Sequence, residues 1–314
     1  MRIAVLGYHN IGCRCLEVLI RQNQNVVAVF THQDDPKEKI WFDSVADLAR
    51  AHGIPCHLPD NINDPHWVDL LRPLEPDLIF SFYFRQMLSR EILKIPPQGA
   101  INLHGSYLPA YRGRCPVNWV LVNGEKETGV TLHYMVERPD AGDIIARARI
   151  AIALEDTALT LFEKMEKAAV RLLKRTLPKI LTGTNQRIPQ DLTKGSYFGG
   201  RRPDDGRIDW MKSGIEIYNL IRAVTHPYPG AFTFLRGKKV FVWKAKAVDL
   251  TVSVESRIPG TIGIQNGSIL VAAGQGAVRV LECQVEGGPE LQTFDEMTRV
   301  FRDGERFDQQ GSIP

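Results

Sequence analysis

Apolar segments that read as strands alternate with amphipathic segments that read as helices through the first third of the chain, and this alternation limits the fold more than any other feature. Residues 3–6, 25–31, 77–82 and 100–104 are short, nearly continuous apolar runs, whereas residues 13–22, 44–52 and 90–93 carry apolar side chains at helical spacing. Strands that are apolar on both faces and joined through helices form a parallel sheet covered by helices on both sides. The expected fold class is therefore α/β, a Rossmann-like parallel sheet. Such sheets present ligands at the carboxyl ends of their strands. Asn102 and His104 stand at one of those ends, and residues 81–88 leave another.

Gly7 and Gly12 flank the first strand-to-helix turn, but the spacing is not Gly-x-Gly-x-x-Gly, so a dinucleotide fingerprint is missing. A tight turn with close helix-to-strand packing is the simpler reading, with His9 placed where it borders either core or ligand. A long helix is expected over residues 157–181, with Leu159, Phe162, Met165, Ala169, Leu172 and Leu173 as its apolar stripe. Residues 182–205 lack periodicity and contain Pro189, Gly195, Gly199, Gly200 and Pro203, which reads as an interdomain linker. A helix over 213–224 and strands near 231–235, 239–248, 260–264, 268–272 and 277–285 then suggest a small OB-like β-barrel or sandwich. The expected domains are a catalytic one over 1–204, a barrel over 205–305 and a loose tail over 306–314.

The formal charge of +3 comes from 39 basic and 36 acidic residues that are interspersed, a balance that does not call for a nucleic-acid partner. Cys13, Cys15, Cys56, Cys115 and Cys283 include no Cys-x-x-Cys pair and no histidine at metal-ligand spacing. They read as reduced thiols of a cytoplasmic protein without a metal site. The N-terminal apolar run is too short for a signal peptide, and no run approaches the ~18 apolar residues of a membrane span.

The chemistry resides in Asn102, His104 and Asp140. An extended backbone sends residues i and i+2 to one face, so Asn102 and His104 point together at one centre. In acyl transfer to an amine an imidazole moves protons and a carboxamide donates to the developing oxyanion. A carboxylate such as Asp140 orients and charges the imidazole. Ser106 lacks a Gly-x-Ser-x-Gly elbow and reads as a structural hydroxyl. His133 alternates with apolar neighbours in a strand and reads as a packing residue.

These residues lie in Asn-Leu-His-Gly-Ser-Tyr-Leu-Pro-Ala-Tyr-Arg-Gly-Arg-Cys-Pro-Val-Asn-Trp (102–119), with Gly-Val-Thr-Leu-His (129–133) and Asp-Ala-Gly-Asp-Ile (140–144) downstream. Together the segments resemble the folate-dependent formyltransferase family, which includes methionyl-tRNA formyltransferases and sugar N-formyltransferases. The resemblance implies 10-formyltetrahydrofolate as donor, His104 as the proton-transfer residue, Asn102 as oxyanion stabiliser and Asp140 as support for the histidine. It also implies that Gln86, Met87, Leu88, Arg114, Val136, Glu137, Arg138, Pro139 and Asp140 line the folate site. Further segments at 30–32, 81–85, 119–125, 200–205 and 227–232 are most similar to the formyltransferase domain found in bifunctional polymyxin-resistance enzymes. That subgroup acts on UDP-4-amino-4-deoxy-L-arabinose in lipid A modification.

The acceptor is the less certain half of the reaction. An arginine fork suits a diphosphate, so Arg201, with Tyr83 near the sugar, is a candidate for binding a nucleotide sugar. From residue 205 to 314 there are 13 Lys plus Arg and 13 Asp plus Glu, a difference of 13 − 13 = 0. A tRNA-binding barrel needs a basic excess, so a small nucleotide-sugar substrate is preferred to methionyl-tRNA. A dTDP carrier and a non-catalytic folate or nucleotide-sugar sensor are the remaining alternatives, and self-association into a homo-oligomer is left open. Tyr107 and Tyr228 stand where the family usually has leucine and tryptophan. No decarboxylase domain follows in this sequence, so the activity is expected to stand alone.

Overall fold

The computed structural model describes residues 1–36, 38–248 and 258–308. Two compact units emerge: residues 1–116, 127–152 and 162–199 form the first, and residues 117–126, 153–161 and the described part of 200–314 form the second. Among the described residues no helix is long and apolar enough to cross a membrane.

The chain begins β1 (Arg2–Gly7), α1 (His9–Arg21), β2 (Asn25–Phe30), α2 (Val45–Ala51), β3 (Cys56–His57), α3 (Pro65–Leu71), β4 (Leu78–Phe82), α4 (Arg90–Leu93) and β5 (Ala100–His104). It continues through β6 (Arg112–Gly113), α5 (Pro116–Val122), β7 (Glu127–Tyr134), β8 (Ile144–Ala151), α6 (Ala158–Leu181) and β9 (Tyr197–Phe198). Seven strands make one sheet in the order β3-β2-β1-β4-β5-β7-β8. The five strands from β3 to β5 are parallel, as their apolar runs require. Ala4, Leu6, Ala28, Phe30, Ile79 and Leu88 are part of the core formed on this sheet.

Two local expectations change. Gly12 does not close the first turn; it lies within α1, which starts at His9. A Cβ at Gly12 would come 3.2 Å from the Gly7 carbonyl carbon and 3.1 Å from Val45, so the pair of glycines serves close helix-to-strand approach. The sheet is parallel-dominated and not wholly parallel. β7 runs antiparallel to β5, and β8 runs antiparallel to β7, with which it forms a hairpin around residues 135–143. A hairpin can close in no other sense.

Residues 182–205 are not a free connector. Ile188 forms a backbone bridge with Ile144, and β9 pairs with β6. The irregular sequence reflects a segment whose hydrogen bonds are divided between short internal turns and neighbouring stretches of chain.

In the second unit α7 (Gly214–Val224), capped by the Ser213 side chain and a returning Glu216, precedes the β-strands. They are β10 (Ala231–Leu235), β11 (Lys238–Val248), β12 (Ile262–Gln265), β13 (Ser268–Ala272), β14 (Ala277–Val285) and β15 (Glu290–Leu291), followed by α8 (Phe294–Thr298). The antiparallel order is β10-β11-β14-β13-β12, with β15 on β14. Residues 305–308, which run into the tail expected to be loose, instead join the two outer strands. Ile262 N–H donates to Glu305 O, Phe307 N–H to Gly260 O and Asp308 N–H to Phe234 O. Phe307 is 1% exposed and stacks on Trp210 at 5.3 Å between ring centres. The remainder of the expected tail, residues 309–314, lies outside the described residues.

Because Phe307 is an internal wedge, Phe307→Ala should cost about 3–5 kcal/mol, the range for deleting a buried aromatic ring. Equilibrium urea unfolding checks this, and a change below about 0.5 kcal/mol would restore the loose-tail reading.

Candidate active site

The end of β5 brings Asn102 and His104 to one face, and antiparallel β7 places His133 directly opposite Asn102 in the register. The β7–β8 loop then returns Asp140 to the same point. Asp140 sits at φ 50, a left-handed conformation disfavoured for a residue with a Cβ. Gly142 has no such option, since a Cβ there would overlap the Tyr134 carbonyl oxygen.

Three side chains and one backbone N–H meet around the Asp140 carboxylate. His104 Nδ1 lies 3.5 Å and His133 Nε2 3.4 Å from Asp140 Oδ1. Asn102 Nδ2 is 3.4 Å from the same oxygen and 3.2 Å from His133 Nε2. Asp140 Oδ2 accepts the Gly113 N–H at 2.8 Å. On the far sides of the rings, His104 Nε2 donates to Tyr111 O and His133 Nδ1 to Tyr134 O, each at 2.8 Å. Carbonyl oxygens accept only, so these bonds pin one proton on each ring. The mobile proton position of His104 is therefore Nδ1, facing Asp140.

Burial alone would raise the Asp140 carboxyl. The charge of His104, the hydrogen bond and charge of His133, and the Gly113 N–H outweigh burial and hold the group well below the usual carboxylate range. The cluster thus keeps a negative charge in a nearly closed setting, beside an imidazole whose protonated form it balances and a carboxamide that can donate. Among the described residues no group of three or more His, Cys, Asp or Glu side chains is placed to hold a metal ion.

The residues implied for a folate site occupy three loops of the same unit, at 86–88, at 114 and at 136–140. Gln86 spends its side chain inside the protein, with Oε1 accepting Ile62 N–H at 2.8 Å and Nε2 donating to Asp60 O at 2.7 Å. Leu88 is a core residue, only 4% exposed. Met87 and Val136 present apolar surface at 45% and 42% exposure, and Glu137 pairs with Arg90 at 3.4 Å. Arg138 and the Arg114 side chain are exposed, and Pro139 is half-buried. Tyr83 lies at φ 60 with its hydroxyl against Gly105, next to His104, where any Cβ would overlap it. Arg201 belongs to the second unit, over the Trp119 ring at 4.6 Å and donating to Asp205 O at 2.8 Å.

His9 is packed among Trp41, Phe42 and Phe162, with centroid distances of 4.5, 4.0 and 4.5 Å. Burial, helped by the charge of Arg85, pushes its pKa down to about 3, so it acts as a neutral aromatic ring. Ser106 donates to Ala110 O at 2.6 Å, consistent with a structural hydroxyl. His133, by contrast, is a member of the cluster. The signal that identifies it is pairing with β5, visible only when β7 is read as antiparallel. Tyr111 O and the Gly113 N–H were equally hidden, because backbone groups leave no compositional mark.

The Asp140 carboxyl titrates lower in the folded chain than in the unfolded one. Its contribution to stability is therefore complete above about pH 4 and lost as pH falls through the folded value. Asp140→Asn removes this dependence, so wild type should lose stability more steeply than the variant between about pH 4 and pH 2. Urea midpoints measured across that range provide the check; parallel curves would contradict it.

Residues 1–177 match the family described as "Formyl transferase", and residues 201–299 match its C-terminal domain. Among solved structures, the N-formyltransferase of Helicobacter canadensis, in complex with folinic acid and dTDP-3-aminofucose, superposes with a TM-score of 0.70 at 22% identity, covering 88% of this chain and 98% of that one. The sugar 3N-formyltransferase WlaRD, solved with dTDP and 5-N-formyl-THF, gives a TM-score of 0.67 at 22% identity over 92% of this chain and 99% of that one. The phosphoribosylglycinamide formyltransferase of Bacillus halodurans gives 0.51 at 26% identity, over 58% and 96%. With its sequence matched over both parts, and with a carboxamide, an imidazole and a carboxylate gathered at one sheet edge, this chain belongs to the formyl transferase family.

Proposed function

We propose that the protein transfers the formyl group of 10-formyltetrahydrofolate to the 4-amino group of a nucleotide-linked amino sugar, with UDP-4-amino-4-deoxy-L-arabinose as the substrate. The observation that carries the reaction type is the convergence of Asn102, His104 and Asp140 within 3.5 Å of one carboxylate oxygen. An unprotonated amine bonds to the formyl carbon of the co-substrate, and as the tetrahedral adduct collapses the bond from that carbon to folate N10 breaks, N10 receives the proton lost by the amine, and tetrahydrofolate departs.

The residues then divide the work. His104 Nδ1 takes the proton that the amine must lose, since its Nε2 proton is held by Tyr111 O. Asp140, ionised and already desolvated, offsets the imidazolium charge without being titrated itself. Asn102 Nδ2 makes only long contacts at 3.2 and 3.4 Å, and exchanges them for a shorter bond to the negative oxygen that develops on the formyl carbon. Met87 and Val136 offer apolar surface suited to a flat heterocycle, with Arg114 and residues 137–139 completing the folate-binding set.

For the acceptor, support comes from three directions. The region from 205 onward is electrically neutral, which opposes a polyanionic tRNA. The Helicobacter canadensis enzyme was solved with a nucleotide-linked amino sugar. The motifs at 81–85 and 200–205, carrying Tyr83 and Arg201, resemble the subgroup acting on UDP-4-amino-4-deoxy-L-arabinose, which supports a product used in lipid A modification and polymyxin resistance. In this reading residues 1–204 carry the chemistry and 205–305 select the acceptor.

Purified protein given 10-formyltetrahydrofolate and a mixture of UDP-4-amino-4-deoxy-L-arabinose, a dTDP-linked amino sugar and charged initiator tRNA should formylate the first, as mass spectrometry reads. Formylation of the dTDP sugar alone would move the carrier assignment, and formylation of tRNA alone would overturn the substrate class. His104→Ala and Asn102→Ala should each lower kcat by about 10²–10⁴-fold with the fold retained.

A further inference from the structure

The segment from the end of α6 through β9 grips the loop that carries Asp140 and the 111–114 loop whose backbone meets His104 and Asp140. Ile188 bridges Ile144 at the start of β8, while Ser196 Oγ accepts Tyr111 N–H at 2.8 Å and Ser196 O accepts Arg112 N–H at 3.0 Å. Arg114 N–H donates to Phe198 O at 2.9 Å. Between these anchors lies Gln190. Its Nε2 donates to Asp140 O at 3.0 Å and to Gly142 O at 2.6 Å, closing a clamp across the turn that aims the Asp140 carboxylate.

Both of those partners are carbonyls, so the donor end of the carboxamide must face them. The acceptor end is then fixed as well. Gln190 Oε1 is buried and meets no hydrogen-bond donor among the described residues. Buried acceptors in folded proteins are nearly always satisfied, and an exception calls for an explanation in ligand binding or catalysis. The clamp also answers a local difficulty. Asp140 is held in a left-handed backbone conformation, which persists only where surrounding contacts over-determine it. The Gly113 N–H on Oδ2 restrains the side chain, and Gln190 restrains the main chain.

We propose that Gln190 is a positioning residue for Asp140, and that its Oε1 accepts a hydrogen bond from an N–H of the bicyclic ring of the folate lying against the 136–142 loop. The second half of this statement rests on the folate reading given above; the first does not. Removing the amide loosens the turn, lengthens the Gly113-to-Asp140 bond and removes a ligand contact in one step.

The Gly113 amide reports the position of Asp140 directly, because the carboxylate is its acceptor. In Gln190→Met, which keeps the length but neither hydrogen-bonding end, native-state exchange of the Gly113 amide should accelerate about tenfold while amides in β1 and β4 are unchanged. The Asp140 carboxyl, followed by its carbon chemical shift, should titrate closer to the ordinary carboxylate range. Binding of 5-formyltetrahydrofolate, read by isothermal calorimetry, should weaken about tenfold. Gln190→Ala is the companion variant should the methionine pack badly, and it should give the same three changes. Unaltered Gly113 exchange and Asp140 titration would overturn the positioning role. Unaltered folate binding, with wild type binding normally, would overturn the contact to Oε1. Failure of wild type itself to bind the folate would instead count against the proposed function and leave the exchange and titration results to decide the role of Gln190.

Discussion

One carboxylate organises the first unit. Asp140 is approached by His104 and Asn102 from β5, by His133 from β7 and by the Gly113 N–H from the 111–114 loop. A charge in so enclosed a place is costly without partners, and here positive and hydrogen-bonding partners surround it on all of the contacted sides. β5, the 111–114 loop, β7 and the 135–143 loop must all be in register before the group is satisfied. The geometry that makes His104 useful for proton transfer is thus the same geometry that makes the ionised Asp140 tolerable.

The backbone around the cluster is held in conformations that chains avoid. Tyr83, Tyr111, Cys115 and Asp140 all have positive φ without being glycine. Such residues concentrate where function dictates the direction of a carbonyl or a side chain. Tyr111 is the clearest instance, since its turned carbonyl is the acceptor that fixes His104 Nε2. The loops are kept in place by residues 188–198, a stretch with little secondary structure of its own. Tyr107 is similarly employed in packing, with its ring between the Arg147 and Arg149 guanidinium groups at 4.5 Å from each.

Periodicity made the parallel half of the sheet, α6 and the strands of the second unit legible, because each buries an apolar face whose spacing is written in the side chains. Asn102, His104 and Asp140 were legible for a different reason: polar residues at a strand end and in a turn, embedded in long motifs. The antiparallel sense of β7 was not, since an apolar strand reads the same in either direction. His133 is packed, as its strand position implies, at 2% exposure and with Nδ1 on Tyr134 O, but its place beside Asp140 follows only from that antiparallel pairing. The roles of residues 188–198 and 305–308 were also invisible. Gly, Pro and polar residues signal the absence of a regular element, and they do not say whether the backbone meets solvent or another loop.

Gln86 gives the candidate folate loop an unexpected dependence. Both ends of its amide are committed to the backbone at Asp60 and Ile62, so the loop after β4 is tied to the stretch that precedes α3. Asn63 adds a second tether by donating to Met87 O and accepting from Ser89 N–H. The two stretches therefore shift as a single body. A change of length or stiffness around residues 60–63, remote in sequence from every reactive group, would be felt in the loop at 86–89.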